Sequence, residues 1–406
     1  MKVEILSRKL IKPSVPTPHH LHQKKISVFD QLAPPSYTPL VLHYSANGDI
    51  RENAQRCAQL ERSLSEALTT FYPLAGRFNA DNLLIECNDE GVEYLEAQVD
   101  CKLDEFLIEP KIELLNHLLP SDIEIDKLDP VTSPLLAIQI NRFNYGGLTI
   151  GLYFSHMIID ASAVASFITA WASSSQAEVA NETIHQPNFD LAITKLKTNA
   201  QALAQIQTSG MERQPTRVEV VTAMIWKALI SAARAKHGRL RDSLLVQIVN
   251  MRGKTIPPLP EISLGNFFLA AVARSSADEN KMELHDLVSL VRDGTRDAIA
   301  KFAKLPVLNG NEVRLMLENL RTECLGGLYN SEVDVRVFSS WCRFPLYEAD
   351  FGWGKPDWVS LTSCPAEIVF LMDTKCGEGI EAWVNLNEQD MLHFQQDPDI
   401  VAFSSQ

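Results

Sequence analysis

Two α/β lobes, each a mixed β-sheet with flanking helices, are what this sequence predicts, and three observations carry the prediction. A chain of 406 residues exceeds what one ordinary core encloses. Its 46% hydrophobic content is enough for two cores. Strand-like and helix-like runs are intermixed in both halves, the pattern of layered α/β folds.

In the first half, Val3 to Ser7 reads as a strand, and Pro13, Pro16 and Pro18 enforce an extended connector into Lys25-Ile-Ser-Val-Phe-Asp30. Leu40 to Tyr44 is a further strand. Cys57, Leu60, Leu64, Ala67, Leu68 and Phe71 recur at helical spacing and stop before Pro73. Leu83 to Cys87 and Val92 to Ala97, joined across Asn88 to Gly91, read as a hairpin. Leu135 to Phe143 and Leu148 to Phe154 flank Asn144-Tyr-Gly-Gly147, which is hairpin chemistry. Val164, Phe167, Ile168 and Trp171 then mark a helix.

Ser173 to Thr208 is rich in Gln, Asn, Ser and Thr and reads as a connector. Thr216-Arg-Val-Glu219 matches a capping box opening a long helix from Arg217 to about Ala235. Ser243 to Asn250 and Gly265 to Val272 are strand runs, followed by helices near Leu284 to Lys304 and Asn311 to Glu323. Strands recur at Arg336 to Ser339, Ile368 to Met372 and Ile380 to Val384, before a last helix from Asn387.

Composition narrows the function. The formal net charge is −14, and a nucleic-acid partner needs a basic face, so none is expected. No run approaches the about 18 apolar residues that span a bilayer, and Met1 to Ile11 has no signal-peptide pattern, so no membrane partner is expected. Seven cysteines at irregular spacing form no CxxC and no disulfide framework, which points to a reducing, cytoplasmic setting. His19, His20 and His22 lie close together but lack Cys or carboxylate partners at ligand spacing, so no metal is expected.

Two constellations carry chemistry. In Gly151-Leu-Tyr-Phe-Ser-His-Met-Ile-Ile-Asp160, His156 stands where a buried strand gives way to a helix, at a sheet edge where ligand crevices form. An imidazole there suits proton abstraction from a hydroxyl, and Asp160 could orient it or pin the turn. Alone, HxxxD is equally compatible with a structural role. GxSxG is absent, so a covalent acyl-enzyme has no obvious carrier. Asp350-Phe-Gly-Trp-Gly354 packs two glycines among aromatics, which suits a tight loop where backbones approach, and structure explains it better than direct catalysis. A kinase reading of Asp-Phe-Gly fails for want of its companion motifs.

Together these residues resemble the plant BAHD acyltransferase family along nearly the whole chain. His156-Met-Ile-Ile-Asp160 looks like that family's HxxxD, and Asp350-Phe-Gly-Trp-Gly354 matches its second signature. Asn250-Met-Arg252 and Leu264-Gly-Asn266 resemble its strand motifs; Lys25 to Asp30, Phe71 to Arg77 and Trp383 are further landmarks. Leu371-Met-Asp-Thr374 and Gly379 to Val384 look most like the alkaloid acetyltransferases of the vinorine synthase type.

The resemblance implies two chloramphenicol acetyltransferase-like lobes with a solvent channel between them: residues 1–180 carrying HxxxD, a short crossover 181–210, and residues 211–406 carrying DFGWG. It implies direct transfer from acyl-CoA, most readily acetyl-CoA, to a hydroxyl, with no permanently bound cofactor and a monomeric enzyme. His156 would be the general base, and Ser339 and Trp341 the oxyanion donors. Asp160 would serve structure and orientation, pairing with Arg252; Asp350, Gly352 and Gly354 would be structural. Thr216, at a helix N-terminus, and Asn266 would meet CoA, although an ordinary capped helix explains Thr216 as well.

Two departures from the family pattern stand out. Ala161 follows Asp160 where many relatives carry glycine, and the stretch Phe189 to Thr216 is shorter than the family pattern. A non-catalytic binding protein of the same fold, a malonyl or hydroxycinnamoyl donor, and an amine acceptor remain as alternatives.

Overall fold

The computed structural model describes residues 1–45, 50–108, 110–120, 133–144, 146–176, 195–196, 214–258, 260, 263–277, 283–303, 310–329, 332–362, 364 and 366–405. Apart from 195–196, the expected crossover 181–210 lies outside the described residues. The chain divides into two compact units: unit 1 is Met1–Ile193, Ile262–Asn266 and Phe344–Ser363, and unit 2 is Thr194–Glu261, Phe267–Arg343 and Cys364–Gln406.

Unit 1 contains, in chain order, β1 (Val3–Ile11), β2 (Gln23–Lys25), α1 (Val28–Leu32), β3 (Tyr37–Tyr44), α2 (Ile50–Thr70), β4 (Arg77–Asn79), β5 (Leu84–Glu86), β6 (Val92–Val99), β7 (Leu136–Phe143), β8 (Leu148–Ser155) and α3 (Ala161–Gln176). Its main sheet runs β1-β6-β7-β8-β3 and ends on the short strand Trp358–Ser360. β6 and β7 are parallel and the other neighbours antiparallel, so the sheet is mixed. Position in the sheet follows from the sequence. β3 and β8 are buried at every residue, as near-continuous apolar runs require, whereas β1 alternates charge with apolar residues and forms an edge. Helix α3 locks to α2 through Trp171, whose indole N–H lies 3.1 Å from both the Leu60 carbonyl and Ser63 Oγ.

Two sequence expectations change here. Leu84–Glu86 does not pair with Val92–Val99; β5 joins β2 and β4 in a separate three-stranded sheet, and β6 pairs with β1 and β7. Asp89 and Gly91, both at positive φ, carry the chain from one sheet to the other instead of closing a hairpin. Linear order assigns DFGWG to the second lobe, but residues 344–363 group with unit 1. The reason is long-range pairing: Trp358, Val359 and Ser360 lie opposite His43, Leu42 and Val41 of β3.

Unit 2 contains α4 (Arg217–His237), β9 (Asp242–Asn250), β10 (Phe268–Ser275), α5 (Leu284–Phe302), α6 (Gly310–Tyr329), β11 (Val333–Ser340), β12 (Ile368–Asp373), β13 (Ile380–Val384) and α7 (Glu388–Gln395). The sheet order is β10-β9-β11-β12-β13, with β9/β11 and β11/β12 parallel and the outer pairs antiparallel. α4 begins at Thr216 with the full capping box and ends at left-handed Gly238. Its Trp226 is fully buried and donates to Ser243 Oγ at 2.8 Å, tying helix to sheet. Among the described residues no helix is long and apolar enough to cross a membrane.

Candidate active site

His156 is placed by the end of β8. The N–H of Ser155 donates to the Leu135 carbonyl at 2.9 Å, and that of His156 to the Ser36 carbonyl at 2.8 Å. Sheet bonding therefore holds the backbone up to the histidine. The chain then turns, and Asp160 starts α3: its Oδ1 accepts the Ala163 N–H at 2.9 Å, and its carbonyl accepts the Val164 N–H at 2.9 Å. Asp160 is buried and acts as a helix N-cap, a position where a carboxylate satisfies an otherwise orphaned N–H. The HxxxD spacing is thus the length of the turn between a strand end and a helix cap.

The imidazole is oriented by Asn266, which shares unit 1 with it. Asn266 Oδ1 lies 3.1 Å from His156 Nδ1, and Asn266 Nδ2 donates to the His156 carbonyl at 2.8 Å. A carbonyl oxygen can only accept, so Nδ1 carries the ring proton and Nε2 the lone pair. Burial is the largest influence on the ring and pulls its pKa below the ordinary value, opposed by its hydrogen bonds and by the Asp160 and Asp30 charges. Neutral imidazole is accordingly the resting form near pH 7.

Asn266, expected at CoA, is 3% exposed and has both ends of its amide engaged by His156 and Asp30. Asp30 was not singled out from sequence as a site residue; only its place in Lys25 to Asp30 hinted at it, and its partner lies 236 residues away.

In unit 2, the indole N–H of Trp341 donates to Ser339 Oγ at 3.2 Å, which leaves the Ser339 hydroxyl proton to be directed elsewhere. Arg252 is buried after β9, its backbone N–H 3.0 Å from Asn250 Oδ1. Thr216 is exposed at the start of α4, and its hydroxyl accepts the Glu219 N–H at 3.2 Å. In unit 1, Asp350 Oδ1 accepts the N–H groups of Gly352 (2.8 Å) and Gly354 (3.0 Å). Both glycines have φ above 100°, a conformation side chains rarely adopt. Among the described residues no group of His, Cys, Asp and Glu could hold a metal ion.

A model of the Transferase family matches residues 1–206 and 188–401 of the chain. The chain belongs to this family, the BAHD acyltransferases. It is 33% identical over 443 residues to the acetyl-CoA-benzylalcohol acetyltransferase of Clarkia breweri, covering 100% of both chains. It is 35% identical over 432 residues to the stemmadenine O-acetyltransferase of Catharanthus roseus, covering 98% of this chain and 97% of that one. The crystal structure of vinorine synthase superposes with a TM-score of 0.81 at 31% identity, covering 100% of this chain and 99% of that one. The two sheet-containing units are therefore the chloramphenicol acetyltransferase-like lobes of a BAHD acyltransferase.

Proposed function

We propose that this BAHD enzyme transfers an acetyl group from acetyl-CoA to a hydroxyl of an alkaloid or other plant secondary metabolite, as a cytoplasmic monomer. His156 Nε2 takes the alcohol proton as the oxygen attacks the thioester carbonyl. The tetrahedral intermediate collapses with cleavage of the C–S bond, and the imidazolium returns its proton to the departing thiolate. The products are an ester and free CoA, and the histidine is neutral again. The observation that carries this reading is the His156–Asn266 hydrogen bond, which dictates a lone pair on Nε2.

Of the expected oxyanion pair, Ser339 serves as the donor and Trp341 supports it: the indole N–H donates to Ser339 Oγ, which leaves the serine hydroxyl proton to point at the oxyanion. The N-terminus of α4 at Thr216 is suited to a CoA phosphate on a net-negative chain. Acetyl is favoured as the acyl group because acetyl transfer is what the Clarkia and Catharanthus relatives are named for.

The purified protein incubated with acetyl-CoA and a panel of alcohols should release thiol only when an acceptor is present. Faster release with malonyl- or hydroxycinnamoyl-CoA would reassign the donor, and product from amines alone would reassign the acceptor. No acceptor-dependent release with any donor would point to a binding protein on an acyltransferase fold.

A further inference from the structure

The Asp30 carboxylate is buried and divided between two tasks. Its Oδ2 accepts the backbone N–H (2.9 Å) and the hydroxyl (2.7 Å) of Ser27, the N-cap of α1. Its Oδ1 accepts the backbone N–H (2.7 Å) and Nδ2 (2.9 Å) of Asn266. The other Nδ2 hydrogen goes to the His156 carbonyl at 2.8 Å.

Both amide hydrogens of Asn266 are thereby committed to acceptors. A flipped amide would point its oxygen at the Asp30 carboxylate and at a carbonyl, losing two bonds and opposing like partial charges. The only stable orientation turns Oδ1 to His156 Nδ1. The backbone is shaped to the same end: Gly265, at φ +125°, turns the Asn266 N–H onto the carboxylate, a conformation open to glycine and strained for other residues.

We propose that Asp30 is a positioning residue: through Asn266 it fixes His156 in the Nδ1–H tautomer, and its negative charge backs the imidazolium formed during transfer. The consequence for catalysis rests on His156 acting as base, as proposed above; the hold on the ring does not. The arrangement differs from a carboxylate bonded directly to the imidazole, because an amide stands between charge and ring. Orientation is delivered while the carboxylate stays two hydrogen bonds away.

The test reads the tautomer directly in the full, ligand-free chain labelled with 15N-histidine. Long-range 1H–15N correlation spectra give both ring nitrogens, and the His156 signals are those missing from His156→Gln. The wild type should show Nδ1–H. In Asp30→Asn, which keeps the volume, the ring should redistribute toward Nε2–H, and kcat should fall on the order of 10-fold or more with KM for acetyl-CoA little changed. A loss of helix capping alone would lower the unfolding temperature without moving the tautomer. Nδ1–H retained in Asp30→Asn overturns the proposal. Where that variant does not fold, Asn266→Ala takes its place: loss of Nδ1–H supports the relay, and retention overturns it. A tautomer that shifts as expected while His156→Gln keeps full turnover would overturn the base assignment and leave the hold on the ring intact.

Discussion

Phe351 meets Trp171 edge-on, with ring centroids 4.9 Å apart and planes at 76°. This pair plugs the DFGWG loop into unit 1. Phe351 is fully buried, stacks on Trp353 at 5.7 Å, and its carbonyl accepts from Gln59 Nε2 at 3.0 Å and Ser175 Oγ at 2.9 Å. Arg56 covers the other aromatic, its guanidinium 5.6 Å from the Trp353 ring. These contacts bind α2, α3 and the loop into one body.

The motif should therefore respond to mutation as a structural element. Asp350→Ala leaves the Gly352 and Gly354 N–H groups without their acceptor and should cost about 1–3 kcal/mol. Phe351→Ala should cost about 3–5 kcal/mol by opening a cavity. Urea denaturation measures both. For the folded fraction of Asp350→Ala, kcat should stay near wild type; a large loss of kcat at unchanged stability would give Asp350 a part in the chemistry.

His156→Ala should lower turnover by a factor on the order of 10² to 10⁴, the usual contribution of a general base. Burial lowers the pKa of this ring, so its basic form persists below the ordinary imidazole range. The acidic limb of kcat/KM should accordingly fall below pH 6.5, and a limb at or above 7 would contradict the assignment.

How much of this was legible in sequence depended on the range of the contacts. His156 and Asp160 could be read because strand, turn and helix follow one another locally, and periodicity reports local structure. The capping box at Thr216 was legible for the same reason. The pairing of Val359 with Leu42 joins residues over 300 positions apart, and a three-residue strand among prolines and glycines has no periodicity to betray it. Asn266 was visible only through a family motif, and its bond to Asp30 not at all, because short polar side chains announce no partner. Cys87 illustrates the remaining failure: its N–H bonds back to the His22 carbonyl, so a run that looks like half of a hairpin belongs to another sheet.

Asp160 offers a test that separates shape from charge. Its Oδ1 caps α3, and Asn caps as well as Asp. Asp160→Asn should keep that cap, whereas Asp160→Ala should lose at least about 0.5–2 kcal/mol. The Asp160 charge also favours protonated His156, so both variants should move the acidic limb of kcat/KM to lower pH. Equal stability of the two variants would remove the cap from the explanation.

His43 is wholly buried in β3, stacked on Trp358 at 4.8 Å, with Nε2 2.9 Å from Ser360 Oγ. Burial pushes its pKa from 6.5 down to about 3, so the folded protein holds it neutral. The unfolded chain binds that proton near pH 6.5 and the folded chain does not. Its contribution to stability is therefore full above 6.5 and is lost as pH falls toward 3, with a slope on the order of 1 kcal/mol per pH unit. Because His43 pairs with the strand that follows DFGWG, the loss should begin where residues 358–360 meet β3. Urea midpoints of wild type and His43→Gln, compared from pH 7 to pH 4.5, isolate this histidine from the carboxylates that titrate in both. The variant should lose less stability on acidification, and parallel curves would show that His43 contributes nothing to the acid response.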